Sequence, residues 1–305
     1  MLRRLRAYFD AEAVLEVDTP SLSTAAVSDV HIESLQVSST LSTRPLYLQP
    51  SPEFFMKRLL AAGYPDIYSI GRVFRDGESG RYHQPEFTLV EWYRLGYGLQ
   101  EIIADTVQAI ASALQQPRLI DEVTICNYAD VFIDQCGIDP ATAPLDELAA
   151  AVDADDDLRA SIGSARDDWL DLILSTHVSQ SFDFGKLTVL QHYPASQAAL
   201  AQLCPGDTKI ADRFEVFMGT TELANGYVEL RDHKLQAQRI EDDQTNRRSR
   251  GFKERPVDDQ FLAALESGLP ECAGVAMGLE RLQMTLDHAD DIRDVITFAF
   301  EDSDE

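Results

Sequence analysis

Cysteine, positive charge and long apolar runs are what this 305-residue sequence has least of. Its four cysteines, Cys126, Cys136, Cys204 and Cys272, stand apart with no CxxC pair and no zinc spacing, so they read as reduced core thiols rather than a disulfide framework. A cytoplasmic address is the expectation. Lysine and arginine number 26 against 52 aspartates and glutamates, a formal net charge of −26. Nucleic-acid binding draws on lysine and arginine to neutralise phosphates, so a surface this acidic argues against tRNA or DNA as a partner. Solubility or salt-rich surroundings would account for the acidity itself. The most apolar run, IIADTVQAIASAL at 102–114, is too short to span a bilayer and carries Asp105. At the start, Asp10, Glu12 and Glu16 interrupt what a signal peptide would need to be continuously apolar. No membrane partner is expected.

What is present is enough apolar material for a sizeable core, since hydrophobic residues make up 45% of the chain. Helical and strand patterns are mixed, without internal repeats and without the regular alternation of a doubly wound parallel sheet. Leu2, Leu5, Phe9 and Ala13 form one face of a first helix, followed by a short strand in VLEVDTP. In SPEFFMKRLLAAG, Ser51 is a cap, Pro52 the first helical residue and Gly63 the stop, with Phe55, Leu59 and Ala62 on the apolar face. DIYSIGRVFR and EFTLVEWYR read as an antiparallel hairpin around a polar loop containing Gly77 and Gly80. Helices are expected over 99–114, 166–180 and 232–250, and the acidic run DADDD at 153–157 reads as a solvated loop. Strands return in KLTVLQHYP, RFEVFMG and TELANGYVEL. In the final motif, GVAMGLERLQM, Leu279, Leu282 and Leu286 face the core. The pattern predicts an α+β fold on a mostly antiparallel sheet flanked by helices, as a single domain over 1–305.

Charge is concentrated in the hairpin. Strand alternation from Glu86 puts Phe87, Leu89, Glu91 and Tyr93 on one face and Glu86, Thr88, Val90 and Trp92 on the other. A core face would not hold Glu91 without a partner, because an unpaired buried carboxylate is costly. A ligand ammonium would supply that partner, while Arg75 suits a phosphate better than a packed core. A second set of carboxylates, Glu215, Glu222 and Glu229, recurs every seven residues. On a regular strand Asn225, Tyr227 and Glu229 share a face, which leaves Glu222 pointing away unless the strand kinks. Carboxylates beside a triphosphate are the usual ligands of magnesium.

Several of these segments together carry a family resemblance. FRDGESGRYHQPEF resembles motif 2 of class II aminoacyl-tRNA synthetases, GVAMGLERLQM motif 3, and VLEVDTPSLS the end of motif 1. SPEFFMKRLL, HYPASQAALA and ELANGYVEL are similar to the lysyl subgroup. The resemblance covers nearly the whole chain, with no room before motif 1 for an anticodon-reading barrel, so a free-standing, tRNA-independent branch of that subgroup is expected. It implies activation of (R)-β-lysine with ATP and Mg²⁺, transfer to a lysine of elongation factor P, and a homodimer. The implied roles put Ser51, Pro52, Glu53, Glu91, Tyr93, Asn225, Glu229 and Ala276 at the amino acid. They put Arg75, Asp76, Gly77, His83, Gln84, Phe87, Glu222, Leu223, Gly278 and Arg281 at ATP, with Arg75, Glu222 and Arg281 catalytic and Glu215 and Glu222 on the metal. Phe87 and Arg281 would sandwich the adenine. One departure is Gly77, where the family carries glutamate; Glu78 is the nearest replacement. Activation of α-lysine for another acceptor, and a non-catalytic amino-acid-binding regulator, remain open as alternative functions.

Overall fold

The computed structural model describes residues 1–40 and 42–300. Its frame is an eight-stranded sheet. In chain order the strands are β1 Leu15–Glu16, β2 Ile67–Phe74, β3 Glu86–Leu95, β4 Thr124–Asn127, β5 Leu187–Gln191, β6 Arg213–Met218, β7 Thr221–Val228 and β8 Cys272–Gly278. Across the sheet they run β1-β2-β3-β8-β7-β6-β5-β4. The inner pairs are antiparallel, and only the edge pairs β1-β2 and β4-β5 are parallel. The architecture is therefore α+β with a mostly antiparallel sheet.

Period-two alternation gives each inner strand two unlike faces. Val90 and Trp92 of β3, Ala273, Val275 and Met277 of β8, Ala224 and Val228 of β7, and Phe214 and Val216 of β6 pack against the first helix, Leu2–Ala11, and the long helix Leu99–Leu114. The opposite face carries Glu91, Tyr93, Gly274, Ala276, Asn225, Tyr227, Arg213 and Glu215, which cross-strand pairing brings into line. One row runs Glu91, Ala276, Asn225, Glu215, and the next Tyr93, Gly274, Tyr227, Arg213.

The register shifts once, between β6 and β7. Val216 pairs with Ala224 but Phe217 pairs with Glu222, so Leu223 is an extra residue in a β-bulge. Leu223 and Ala224 both join the core, and Glu222 turns to the face that holds Glu215. This is the kink on which the direction of Glu222 depends.

Local readings need correction in three places. Helix Glu53–Ala61 buries Phe54, Met56, Lys57 and Leu60 rather than Phe55, Leu59 and Ala62, because Lys57 is ion-paired inside the protein and so belongs to the buried stripe despite its charge. The first helix ends at Ala11, and Ala13 is exposed with φ 57°, so Val14 takes the next core position. The acidic run is not all loop: Asp155 accepts from the Leu158 N–H and caps the helix Asp156–Ile162. The other expected helices fall where the pattern puts them, including His233–Ser249, capped by Asp232, and Leu279–Asp287, whose Leu282 is buried, while Tyr128–Cys136, Leu145–Ala151 and Asp259–Gly268 are helices that the sequence reading does not mark. Among the described residues no helix is long and apolar enough to cross a membrane.

Asp105 ties the helical layer to the sheet. It is buried on the long helix, where its carboxylate accepts from Trp92 Nε1 of β3 at 2.9 Å and from Tyr8 Oη of the first helix at 2.5 Å. Arg94 lies 3.8 Å away. Asp105→Leu leaves the buried Trp92 Nε1–H without an acceptor, weakens the anchoring of the half-buried Tyr8 hydroxyl and takes one of three carboxylates from Arg94, so we expect a loss of about 2–4 kcal/mol, read as a lower denaturation midpoint in urea.

Candidate active site

The polar sheet face opens into a cavity of about 850 Å³. The central strand β8 lines it with Gly274, Val275, Ala276 and Gly278, and since the Val275 side chain is in the core on the other face, the floor is low and its neighbours' long side chains stand around it. Gly274 cannot be larger. A Cβ there would lie 2.4 Å from Tyr93 Cε1 and 2.6 Å from Glu229 Oε1.

One end of the cavity is acidic. Glu91, 2% exposed, accepts at 2.8 Å from Tyr93 Oη and at 2.8 Å from Ser51 Oγ. Ser51 in turn accepts from the Glu53 N–H at 2.9 Å, so a single hydroxyl joins the start of helix Glu53–Ala61 to the sheet. Glu229 follows β7 and is 1% exposed. Burial, and then the charge of Glu53, pushes Glu91 up to about 8, outweighing the pull of its two hydroxyl donors. Burial also pushes Glu229 upward, to about 7. Asn225 donates to Tyr227 Oη at 3.2 Å, while its Oδ1 is without a partner among the described residues. Ala276 lies between Glu91 and Asn225 in the register.

The other end is cationic and aromatic. The Arg75 guanidinium sits over the Phe87 ring, 5.0 Å from its centroid, and 3.7 Å from Glu78. Arg281, from the helix that Gly278 opens, donates to the Glu222 carbonyl at 3.1 Å and to its Oε2 at 3.2 Å. Its other terminal nitrogen donates to His83 Nε2 at 2.8 Å. Burial and the Arg281 charge lower the His83 value, which keeps the imidazole neutral and able to accept. Gln84 is buried at this end, and its Oε1 accepts from the Phe300 N–H at 2.7 Å. Leu223 reaches the cavity edge with its side chain in the core, leaving its backbone to face a ligand.

The structure thus gathers Ser51, Glu53, Arg75, His83, Gln84, Phe87, Glu91, Tyr93, Glu215, Glu222, Leu223, Asn225, Glu229, Ala276, Gly278 and Arg281 around one space. Pro52, Asp76 and Gly77 are not among the lining residues; Glu78 is. Gly77 adopts φ 75°, a left-handed turn suited to glycine that carries the chain round to Glu78. Two contributors escape a reading by motif. Lys57 is signalled only by its four-residue spacing from Glu53 on a helix, and Arg213 only by its two-residue spacing from Glu215 on a strand.

Glu215 and Glu222 fit a hard divalent cation. Both offer carboxylate oxygens on one face, and burial followed by the charge of Glu222 pushes Glu215 up to about 7 although Arg213 lies at 2.5 Å. A further group of ligating types, His192, Cys204 and Asp212, lies together away from the predicted set, with Cys204 Sγ donating to Asp212 Oδ1.

The fold and this arrangement are those of a class II synthetase, with an acidic end and a cationic, aromatic end in one cavity. Residues 1–302 match the family of class II tRNA synthetases (D, K and N), and the chain belongs to that family. It is 41% identical, over 98% of its length and 92% of the relative's, to the elongation factor P–(R)-β-lysine ligase of Sodalis glossinidius. The proteins of the same name from Hamiltonella defensa and Yersinia pestis are each 39% identical, covering 99% and 98% of this chain and 93% and 92% of their own.

The raised Glu91 value has a sign that can be measured. The folded protein keeps a proton that an unfolded chain releases near its ordinary value of 4.5, so this residue's contribution to stability falls as pH rises from there to about 8. Glu91→Gln removes that term. We expect the melting temperature of the variant to gain on the wild type by roughly 5 °C or more between pH 5 and pH 8, and a constant difference would contradict an uncharged Glu91.

Proposed function

We propose that this protein is an ATP-dependent ligase that activates (R)-β-lysine as an adenylate and transfers it to a lysine ε-amine of elongation factor P. The observation that carries the reading is the polarity of the cavity. Buried carboxylates suited to ammonium groups stand at one end, and Arg75, Phe87, His83 and Arg281 at the other. In the first step the amino acid's carboxylate attacks the α-phosphorus and the bond to pyrophosphate breaks. Arg75 and Arg281 would hold the negative charge that spreads over the phosphoryl oxygens. Glu215 and Glu222 would hold magnesium, which when bound would supply positive charge against the phosphates. The acceptor amine then attacks the acyl carbon, AMP leaves and an amide forms. No protein nucleophile takes part, so the chain's work is binding, alignment and charge stabilisation.

We also read residues 1–305 as one catalytic domain in a cytoplasmic homodimer that needs no tRNA. The dimer is supported by the motif 1 segment, where Leu15 and Leu22 are 45% and 43% exposed. Independence from tRNA is supported by the net charge of −26.

Incubation of purified elongation factor P with this protein, ATP and magnesium should add the mass of one lysyl residue, fastest with (R)-β-lysine. Labelled pyrophosphate should exchange into ATP in the absence of tRNA. Exchange with α-lysine but no change in the acceptor would favour a different acceptor. Folded protein that gives no exchange with any lysine isomer would remove the enzyme reading.

Ala276 bears on isomer choice, because its methyl lies between Glu91 and Asn225 in the register, at the amine end of the cavity. A misplaced methyl is worth roughly 1–3 kcal/mol in a pocket. Ala276→Gly should therefore shift the kcat/KM ratio toward α-lysine by about tenfold or more. An unchanged ratio in pyrophosphate exchange would show that this methyl does not set the preference.

A further inference from the structure

Lys57 is a fully buried cation whose ammonium meets two carboxylates of the cavity. It lies one turn after Glu53 on helix Glu53–Ala61, is 1% exposed, and its Nζ is 2.6 Å from Glu53 Oε1 and 2.5 Å from Glu229 Oε2. Burial alone would push the ammonium down, but the charges of Glu229 and Glu53 outweigh it and hold it above the ordinary lysine value. Lys57 is therefore a fixed positive charge at neutral pH. Apart from this ion pair, Glu229 Oε2 is without a hydrogen-bond partner among the described residues, so it retains a lone pair for a ligand.

The charge count at this end is small enough to write out. Glu53, Glu91 and Glu229 line the cavity, and Lys57 offsets one of them, which leaves two negative charges when all three ionise. Tyr93 and the Cys272 thiol face the same group, and burial pushes both upward, so neither adds charge at neutral pH. An amino acid whose carboxylate is engaged at the nucleotide end presents only its amines here. One ammonium leaves a buried carboxylate uncompensated; two leave none.

We propose that Lys57 is a positioning residue for the reaction, which by holding Glu53 and Glu229 fixes the acidic end of the cavity at two uncompensated carboxylates and so selects amino acids with two ammonium groups over those with one. This deepens the ligase reading and rests on it. The same ion pair also fixes the distance between the helix and the end of β7. A neutral side chain of similar shape would keep that packing and lose the charge, which is what separates selection from scaffolding.

The test compares wild type, Lys57→Met and Lys57→Met/Glu53→Gln, using pyrophosphate exchange from pH 6 to 9.5 and calorimetric binding of lysine and of 6-aminohexanoate, which carries a single amine. Without the lysine cation the carboxyl groups hold their protons to higher pH. Lys57→Met should therefore raise the KM for diamino acids by about tenfold or more near pH 7, with the optimum for binding moved upward by about one pH unit and the KM for ATP unchanged. The double variant loses a cation and an anion together, and its binding optimum should return toward that of wild type whatever KM it reaches. Lys57→Met should also narrow the preference for lysine over 6-aminohexanoate. If Lys57 only braces the fold, Lys57→Met will lower the melting temperature and kcat while the pH profile and the preference stay as in wild type, which would overturn the proposal. Wild type that binds lysine with this Lys57-dependent pH profile but shows no exchange would overturn the ligase reading alone. Wild type that binds neither amine would overturn both.

Discussion

Three carboxylates and one lysine share the end of a cavity that water barely reaches, and the surrounding structure is arranged to make that tolerable. Moving a charge out of water costs several kcal/mol even after relaxation, and it is recovered only where geometry and hydrogen bonds are good. Ser51 and Tyr93 each spend their hydroxyl proton on Glu91, and Lys57 divides its ammonium between Glu53 and Glu229. The compensation is incomplete, as the upward displacement of Glu91 and Glu229 records. A site that binds cations should look like this before its ligand arrives, because the residual cost is relieved only by the ligand's own charge.

The sheet supplies the room. Five inner pairings are antiparallel, so alternate residues of every inner strand reach the same face in register, and rows of side chains form across strands remote in sequence. Small residues on the central strand then decide where the hollow lies. Gly274 is the tightest point, since any side chain there would drive into Tyr93 and Glu229. The bulge at Leu223 completes the layout by turning Glu222 toward Glu215 without disturbing Asn225 and Tyr227 further along. One extra residue thus converts a strand with a single polar stripe into one that serves both ends of the cavity.

Much of this was legible from the sequence because it depended on period two. The faces of β3, and the sharing of a face by Asn225 and Tyr227, follow from alternation alone. Glu222 did not, because a bulge is decided by pairing with a second strand and leaves no mark on local periodicity. Lys57 was hidden for a different reason: a lysine on an amphipathic helix ordinarily marks the solvent face, and only the carboxylate brought in from 172 residues later in the chain makes burial affordable. The same logic displaced the apolar face of that helix by one residue. Asp155 was hidden inside a run of acidic residues that looks uniformly solvated until one of them is seen to cap a helix.

The cationic end follows a rule complementary to that of the acidic end. Three arginines of the cavity already have a carboxylate: Arg75 has Glu78, Arg213 has Glu215 and Arg281 has Glu222. Clustered guanidinium groups repel one another, and in a chain with twice as many acidic as basic residues the simplest way to hold them together is to interleave them with glutamates. The pairing orders each side chain in advance, so less conformational entropy remains to be lost when phosphate oxygens take the place of a carboxylate. It also lowers the net attraction for any anion, since the carboxylate must be displaced or shared. Glu215 and Glu222 can be shared rather than expelled, because a divalent cation accepts carboxylate and phosphate oxygens alike. On the ligase reading, the glutamates that pair with Arg213 and Arg281 are therefore the ones that would hold a divalent cation if those arginines turned to phosphate oxygens.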